Sequence, residues 1–587
     1  MSSFSLVASL AVCGWGYRLP FVTKDKYAAF DDALAIDADQ SVGVEVAIGQ
    51  VSVNESPLFN ADRGWEFRLE AGYPSVVYDP ADTPPFKMWY NSFVSCMWRP
   101  QICSPDRDAT ALLYAHSEDG ILWNKPSNFH FTVSKEEHHI GGGSRGGNVV
   151  RMHVFGISVF KDPHETNKSR QFKAFGMLQQ PVFEDADQLH QLTNASGGTM
   201  VSADGITWSE DTIWPLNIRW DTHHSLFWDE ARQTFAVITR GPSPNRRTLA
   251  LVRSEPGKFS GFGFAEVVAT PQRPDDQMHS AQVFPYYGIY LSILTTYDAN
   301  CTELAPGQSR VRRCQDHARC ELAWSADLRT WKRFTTDDRQ PLEVPLPFGK
   351  LPMEKRDSYE FIPLEKNTYH SNGCFAASPV QLLGQQLRVY FMGVDAPHFQ
   401  NRRTAFSVAK LRPDGFAGVR PRAGHYISRL VTKPLHISGN TLVITADLAT
   451  KGFIRVQLLD SQTSVPLQRQ SPEQVLCADK NPGTFTSQVA LSWRTLAAWE
   501  GKSLRLAFEL KNATLYTFAF ERRDIEHEEH LAWQFATSGW QVARSMLLFI
   551  AVTSLPTWYL WKRCRRQLNR SRQQDIHGSI PVGKPAE

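Results

Sequence analysis

Three segments of the chain repeat one short pattern, in which a serine is followed by an aspartate and then by a tryptophan. They are Ser117 to Trp123 (SEDGILW), Ser202 to Trp208 (SADGITW) and Ser325 to Trp331 (SADLRTW), and each follows a strand-like run. In the first two, Asp-Gly supplies the positive backbone angles of a tight turn, and the tryptophan then packs back on the sheet. The third has Asp-Leu and is expected to need a different turn. A motif that recurs at the same point of successive four-stranded units is typical of a β-propeller.

The strand-like runs between residues 60 and 420 group into five such units. Beyond residue 415 the runs are separated by turn signals at short intervals, which predicts a small antiparallel β-sandwich over residues 425–521. The expected fold class is therefore all-β, with a five-bladed β-propeller followed by a small antiparallel β-sandwich. The alternative is a β-sandwich in which the three turns are unrelated hairpins.

Length and charge limit the class of protein. At 587 residues the chain is too long for one ordinary core, so several domains are expected. The 63 basic and 60 acidic residues leave a formal net charge of +3, so no overall field argues for a nucleic-acid partner.

Both ends of the chain have features of membrane proteins. A short apolar run within residues 1–17 resembles a signal peptide, although no Lys or Arg precedes it. Residues 545–561 carry no charge and are followed at once by basic residues, which predicts one transmembrane helix with the preceding chain lumenal or extracellular. Residues 522–544 are then a juxtamembrane stalk, and 562–587 a basic, disordered cytoplasmic tail. The alternative is a buried C-terminal helix.

Glycosylation sequons and cysteines fit a secretory route. Five N-x-S/T sequons precede the predicted span, at Asn54, Asn167, Asn194, Asn300 and Asn512. With Cys13 in the signal and Cys564 in the tail, an odd number of the nine cysteines remains. Short loop disulfides are expected between Cys96 and Cys103, and between two of three others: Cys301, Cys314 and Cys320.

Several segments together resemble a known group of carbohydrate-active proteins. They are MWY (88–90), YAHSEDGILWNKP (114–126), HHSLFWD (223–229), VFPYYGIYL (283–291), RPDGFAGV (412–419), TKPLHISGNTLVITADLATKGFIRVQLLD (432–460) and SWRTLAAWEGKSLRLAFELKNATLYTFAF (492–520). The chain resembles the five-bladed propeller glycosidases of the furanosidase clan, most closely the glycosyl hydrolase family 32 N-terminal-like group with its trailing β-sandwich. The resemblance covers most of residues 60–520. It implies a site in an axial funnel, with acids near the start of the innermost strand of each blade.

Glycosidic hydrolysis needs two carboxyl groups, one ionised and one protonated. The candidate catalytic acids are Asp221, Glu66 and Asp276, because each stands at or just before the first strand of a unit. Aromatic neighbours of Glu66 are expected to raise its pKa by desolvation. The alternatives are an edge carboxylate or an ion pair with Arg68 for Glu66, a strand cap for Asp221 and a solvated loop acid for Asp276.

The candidate substrate-binding residues surround these acids. They are Trp65, Trp220 and Tyr286 for stacking on sugar faces, His223 and His224 for hydroxyl groups, and Glu360, Arg145 and Asn148. The resemblance implies an Arg-Asp-Pro triplet in the second unit, but the chain has Arg145-Gly-Gly-Asn148 there. A neutral amide and a basic residue replace the acid, which favours an anionic or acetylated sugar at that position.

No cofactor or metal is expected. Adjacent histidines in a strand point to opposite faces, so neither His138-His139 nor His223-His224 chelates readily. The glycine-rich segment 141–147 lacks the following helix and the Lys-Ser/Thr of a phosphate-binding loop.

The function expected from the sequence is a membrane-anchored glycoside-hydrolase-like protein that cleaves a glycosidic bond, with a glycan as its partner and without nucleic acid. The alternative is a non-catalytic glycan-binding or adhesion ectodomain on the same scaffold, which the missing acid of the second unit favours. A glycosyltransferase or phosphorylase ranks last, because Arg145 and Arg151 are its only support.

Overall fold

The computed structural model describes about two thirds of the chain. The described residues are 21, 23, 25–63, 66, 69, 72–95, 108–127, 147–152, 154–179, 196–214, 218, 222–242, 247–271, 276–298, 317–335, 351–355, 358–382, 386–397, 403–467, 474–477, 489–492 and 496–522. The predicted signal peptide, most of the stalk, the predicted membrane span over 545–561 and the tail lie outside them. Within the described residues, no helix is both long enough and apolar enough to cross a membrane.

The expectation of an all-β chain is confirmed. The described residues form strands and two short 3-10 turns, at Lys168–Arg170 and Ala497–Trp499. The first four strands are β1 (Lys26–Ala28), β2 (Val44–Ile48), β3 (Ser52–Val53) and β4 (Phe59–Asn60). The strands divide between two compact units. Unit 1 holds the described residues within Met1–Val22, Val51–Val344 and Ser358–Leu411, and unit 2 holds the others.

Unit 1 contains five successive groups of antiparallel strands. The first group is β5 (Ser75–Tyr78), β6 (Phe86–Ser95), β7 (Asp108–Ser117) and β8 (Val149–Met152). The second is β9 (Phe155–Lys161), β10 (Phe172–Gln179), β11 (Ser196–Ser202) and β12 (Ser209–Trp214). The third is β13 (Ser225–Asp229), β14 (Thr234–Arg240), β15 (Leu249–Arg253) and β16 (Glu266–Ala269).

The fourth and fifth groups are joined by one parallel bridge between β19 and β22. The fourth group is β17 (Asp276–Tyr286), β18 (Ile289–Asp298), β19 (Ala318–Ser325), β20 (Lys332–Arg333) and β21 (Glu360–Ile362). The fifth is β22 (Gly373–Ala376), β23 (Val380–Leu382), β24 (Gln386–Val394) and β25 (Thr404–Leu411). Strands β3 and β4 pair with β25, so a segment that precedes all five groups completes the last one.

Neighbouring groups contact one another in sequence around a circle. The first strands β5, β9, β13 and β17 contact one another in that order, β18 contacts β22, and β23 contacts β5. The fifth group therefore returns to the first.

The repeated tryptophan turns link the groups in the same order, because each turn packs on the strand group that precedes its own. Trp89 of the first group donates a 2.6 Å hydrogen bond to the carbonyl of Gly205 in the second turn. Tyr390 of the fifth group donates to the carbonyl of Gly120 in the first turn, at 2.9 Å. In the last turn Trp331 packs in one hydrophobic cluster with residues of the third group.

The three turns share one geometry, so the expectation that the third needs a different turn is wrong. In each, the serine hydroxyl accepts the backbone N–H of the residue three positions on, at 2.8–2.9 Å. That residue is Gly120, Gly205 or Leu328, and φ is 70°, 76° and 67° respectively. Leu328 adopts the left-handed conformation without glycine's freedom, and its side chain is fully buried. We infer that this burial offsets the backbone cost.

One disulfide is described, between Cys320 of β19 and Cys374 of β22, across 54 residues of sequence. The prediction of a disulfide is therefore confirmed, but Cys320 is not the partner of Cys301 or Cys314. The proposed pairing of Cys96 with Cys103 lies outside the described residues, as do Cys301 and Cys314.

Unit 2 is a nine-stranded antiparallel sheet. Its remaining strands are β26 (Ala417–Pro421), β27 (Ser428–Val431), β28 (Leu435–His436), β29 (Thr441–Asp460), β30 (Gln474–Cys477), β31 (Val489–Ser492) and β32 (Ser503–Glu521). The long strands β29 and β32 pair along most of their length, and their register shifts between Leu448 and Phe453. Strands β1 and β2, from residues assigned to no domain by the sequence, join this sheet through β32 and β26.

Asp31 is a buried carboxyl group in unit 2, next to β1. Its Oδ1 accepts the backbone N–H groups of Ala33 and Leu34 at 3.1 and 2.9 Å. Burial, with a smaller contribution from the charge of Asp32, raises the pKa of Asp31 to about 7, although the two N–H donors oppose the shift.

We expect Asp31→Asn to stabilise the protein at pH 8 and to have little effect at pH 4. Between the unfolded pKa of 3.8 and the folded pKa of about 7 the folded state binds more protons, so stability falls as pH rises through this window. Asparagine keeps the acceptor oxygen and cannot ionise, so at pH 8 the gain is about 3 kcal/mol. Urea unfolding at both pH values measures it, and an equal effect at pH 4 and pH 8 would contradict the titration.

Candidate functional site

Five rings from five different groups meet where the first strands of unit 1 begin. They are Tyr73, Phe155, His223, His279 and Phe375, here called the central cluster. The centroid of the Tyr73 ring lies 6.1 Å from Phe155, 5.4 Å from His223, 6.1 Å from His279 and 5.9 Å from Phe375. The Tyr73 and His223 planes are stacked at 13°. Every member is at most 6% exposed, so the five groups converge on a packed centre.

Local backbone geometry makes this convergence possible. Tyr73 lies in the left-handed region at φ 34°, which is unusual for a bulky residue. The carbonyl of the preceding Gly72 accepts the backbone N–H of Asn91 at 2.7 Å. Gly156 has φ 64°, and a Cβ there would stand 2.0 Å from the carbonyl oxygen of Thr222. The backbones of the second and third groups therefore touch beside His223.

His223 is held from two sides. Its Nδ1 is 2.6 Å from the side-chain nitrogen of Gln282 on β17, and Tyr73 covers one face of the imidazole. Burial, and then the nearby imidazole of His224, lower the pKa of His223 to about 3. His223 is therefore neutral at physiological pH.

His224 faces the other way, as adjacent strand residues should. Its Nδ1 lies 2.7 Å from the hydroxyl of Thr239, and its ring packs edge-on against Phe175 of the second group. Among the residues that the structure describes, no group of three or more His, Cys, Asp or Glu is arranged to hold a metal ion.

Two buried polar side chains, one in the central cluster and one on β6, have atoms without a hydrogen-bond partner in the described part of the chain. They are the Nε2 atom of His223 and both amide atoms of Asn91. The two residues are 2% and 1% exposed. A buried polar atom without a partner is costly, and functional sites are among the places where it is retained.

Glu66 lies in a different polar cluster of unit 1. Its Oε2 accepts the backbone N–H groups of Asp62 and Arg63 at 3.0 and 3.2 Å and the ammonium of Lys125 at 2.8 Å. Its Oε1 accepts the hydroxyl of Tyr90 at 2.6 Å. The carboxylate is thus buried, ion-paired with Lys125 and hydrogen-bonded on both oxygens, whereas the alternative partner Arg68 lies outside the described residues.

Asn148 belongs to the same cluster as Glu66. Its expected place in the second unit is wrong, because β8, which begins at the next residue, pairs with β7 of the first group. Its amide donates to the Tyr90 hydroxyl at 2.7 Å and to the carbonyl of Tyr114 at 3.0 Å. Burial, and then the charge of Glu66, raise the pKa of Tyr90, which stays protonated as the bridge between them. Tyr90 therefore brings two predicted site residues together.

Lys125 ties this cluster to the strand that completes the fifth group. Its ammonium donates to the carbonyl of Asn60 on β4 at 2.8 Å and to Asp62 at 2.7 Å, in addition to Glu66. Burial raises the pKa of Asp62, but the hydrogen bond and charge of Lys125 outweigh it, and the pKa is lowered. The lysine thus fastens the first group to the end of the fifth.

Glu360 stands on β21, which pairs with β19 away from β17. One carboxylate oxygen lies 3.2 Å from Arg319 Nε, and the other accepts the Leu364 N–H at 3.0 Å.

Arg151 is paired with Glu210. Tyr286 lies at the far end of β17 from His279 and packs on Phe21 and Tyr287.

Of the remaining predicted residues, one begins a strand and four lie outside the described residues. Asp276 begins β17, three residues before His279, and its backbone pairs with that of Asp298. Trp65, Arg145, Trp220 and Asp221 lie outside the described residues, although Asp221 is two residues before His223 in the sequence.

The central cluster contains residues that the sequence analysis did not select. Acids were expected at the start of each first strand, whereas the described structure has Tyr73, Phe155, His279 and Phe375 there. These four residues share only their position in the sequence, because each stands within a few residues of the start of a strand group.

No protein-family model matches the chain, and no curated protein matches it. Among solved structures, the chain is similar to a glycoside hydrolase family 43 arabinoxylan arabinofuranohydrolase from Bacillus subtilis, at 9% identity and a TM-score of 0.30, over 79% of this chain and 98% of that one. It is similar to an exo-β-1,3-galactanase from Phanerochaete chrysosporium, at 9% identity and 0.33, over 80% and 100%. It is also similar to a glycoside hydrolase family 32 β-fructofuranosidase from Bombyx mori, at 11% and 0.32, over 83% and 95%.

Proposed function

We propose that unit 1 is a five-bladed β-propeller, with the five strand groups as its blades, and that unit 2 is a β-sandwich. The closed circle of contacts between neighbouring strand groups supports the propeller, as does the docking of each repeated turn on the preceding group. Completion of the fifth group by β3 and β4 supports it further, since it joins the two ends of the circle.

We propose that this propeller binds a carbohydrate at the end where the first strands begin and hydrolyses a glycosidic bond there. The observation that carries the proposal is the convergence of five blades on the central cluster, in which His223 has a buried nitrogen without a described hydrogen-bond partner. Aromatic faces and neutral hydrogen-bonding groups are the combination that sugar rings and hydroxyls require.

In this proposal Asp221 and Asp276 supply the two carboxyl groups. Both precede residues of the central cluster in the sequence, and hydrolysis requires one of them ionised and the other protonated. Glu66 has another role, because its carboxylate is already engaged by Lys125, Tyr90 and two backbone N–H groups. It holds the first blade to the closing strand.

The second candidate function is glycan binding without catalysis. It is favoured by the composition of the central cluster, whose described members include no carboxylate. Both functions place the glycan at the same end of the propeller.

Substitution of the two aspartates separates the candidates. We expect wild-type protein to cleave at least one member of a panel of cellotetraose, xylotetraose, β-1,3-galactotriose, arabinotriose and sucrose. Asp221→Asn and Asp276→Asn should each lower kcat by about 10²–10⁴-fold, since each removes an acid or base that acts in the transition state. Binding, measured by calorimetry, should change little.

Glu255→Gln is the matched control, because Glu255 is exposed and pairs with Lys258. It should leave kcat unchanged. Binding without cleavage by the wild-type protein would favour the second candidate, and no binding to any sugar of the panel would contradict both.

A further inference from the structure

The stacked His223 ring presents one nitrogen to Gln282 and the other to no described group. The Gln282 side-chain nitrogen lies 2.6 Å from Nδ1. An amide nitrogen can only donate, so Nδ1 must be the unprotonated nitrogen of the neutral imidazole and Nε2 must carry the hydrogen. Nε2 is then a buried N–H donor that has no acceptor within the described residues.

The donor is fixed in place before any ligand arrives. Tyr73 stacks on the imidazole at a 5.4 Å centroid distance and sets the plane of the ring. Gln282 sets its rotation within that plane, and the contact of Thr222 with Gly156 fixes the backbone just before it. A donor held in this way does not reorganise on binding, which is how proteins gain selectivity for a ligand oxygen.

Asn91, whose backbone adjoins that of Tyr73, is a second buried side chain with unsatisfied polar atoms. Its backbone N–H donates to Gly72, the residue before Tyr73, and both its amide oxygen and its amide nitrogen have no partner in the described chain. One donor and one acceptor on Asn91, with the donor of His223, suit hydroxyl groups, which both donate and accept.

We propose that His223 Nε2–H binds an uncharged oxygen of the saccharide, such as a ring hydroxyl, and that Gln282 is the positioning residue that fixes this tautomer. The inference rests on the proposed carbohydrate site and specifies its ligand. A ring hydroxyl oxygen can accept the hydrogen of this neutral imidazole, and the hydroxyl remains free to donate to another group.

The tautomer is measured on the free protein, without any sugar. In protein labelled with ¹⁵N-histidine, the long-range ¹H–¹⁵N correlations of an imidazole distinguish the Nε2–H and Nδ1–H forms. The His223 signals are identified by their loss in His223→Asn. We expect Nε2–H in the wild type at pH 7, and Nδ1–H in Gln282→Glu, because a carboxylate can only accept. A wild-type His223 found as Nδ1–H or as imidazolium would overturn the inference.

Binding is measured by calorimetry with the neutral oligosaccharide of the panel that binds most tightly. Gln282→Glu and His223→Asn should each weaken the binding of this ligand at least tenfold. Thr239→Val is the matched control, since it removes the hydroxyl partner of the neighbouring His224 and should change binding less than twofold.

The outcomes are separable. If the neutral sugar binds wild type and both variants equally, the inference falls and the proposed function stands. If no sugar binds the wild type, the proposed function and the ligand part of the inference both fail, while the spectrum still decides the role of Gln282. Thermal unfolding of each variant shows whether it has folded, and the wild-type spectrum does not depend on any variant.

Discussion

Replacing Gly156 by alanine is expected to destabilise the protein by about 3–5 kcal/mol, combining left-handed strain and overpacking. The residue has φ 64°, and an alanine Cβ would stand 2.0 Å from the carbonyl oxygen of Thr222. A backbone oxygen cannot rotate away as the end of a flexible side chain can. The blades must therefore separate beside His223, and urea unfolding measures the loss of stability.

Gly257→Ala is the matched control for this prediction. Gly257 has a nearly equal φ of 70°, but nothing lies within 4 Å of the position of its Cβ. It should therefore cost only the backbone strain, about 1 kcal/mol. Equal losses in the two variants would show that the second and third groups do not approach each other as described, and the central cluster would lose its support.

Replacing Glu66 by glutamine is expected to cost about 3 kcal/mol, as removal of one partner from a buried ion pair does. The side chains of Glu66 and Lys125 are 0% and 3% exposed, so the lysine ammonium would lose its buried carboxylate partner. The new amide would also place an N–H₂ group among four donors. Chemical denaturation measures the change.

Asp62→Asn removes the other carboxylate from the same lysine. Its side chain is 57% exposed, and exposed ion pairs contribute about 0–1 kcal/mol, so the loss should be small. If Glu66→Gln leaves stability unchanged and abolishes hydrolysis instead, Glu66 is a catalytic acid and its assignment as a structural carboxylate is wrong.

The strand groups were predictable because their signals are local. Alternating strand runs and the serine and aspartate of each repeated turn act through neighbouring backbone groups, and these hydrogen bonds recur in all three turns. The left-handed Leu328 was not predictable in this way. Its backbone conformation depends on a buried position that the rest of the fold creates.

Pairings between distant segments escaped the sequence analysis. Cys320 has two nearer cysteines in sequence, yet it bonds to Cys374, because β19 and β22 are neighbours in the fold. Lys125 likewise joins Glu66 across residues that show no shared pattern. A single sequence contains no signal for contacts of this kind.

The candidate site was predictable in position and less so in chemistry. Residues at the start of each first strand do meet, as His223 and the neighbouring Tyr73 show. Catalytic acids were expected at these positions, and Glu66 was a candidate for that reason. Its pairing with Lys125 arises from tertiary structure, which converts a candidate acid into an ion-paired carboxylate.

A crystal structure of the protein soaked with neutral oligosaccharides tests the central claim most directly. We predict five sheets around one axis and sugar density at the end that holds Tyr73 and His223, with a ligand oxygen within hydrogen-bonding distance of His223 Nε2. Sheets that fail to close into a circle, or sugar bound only elsewhere on the protein, would contradict it.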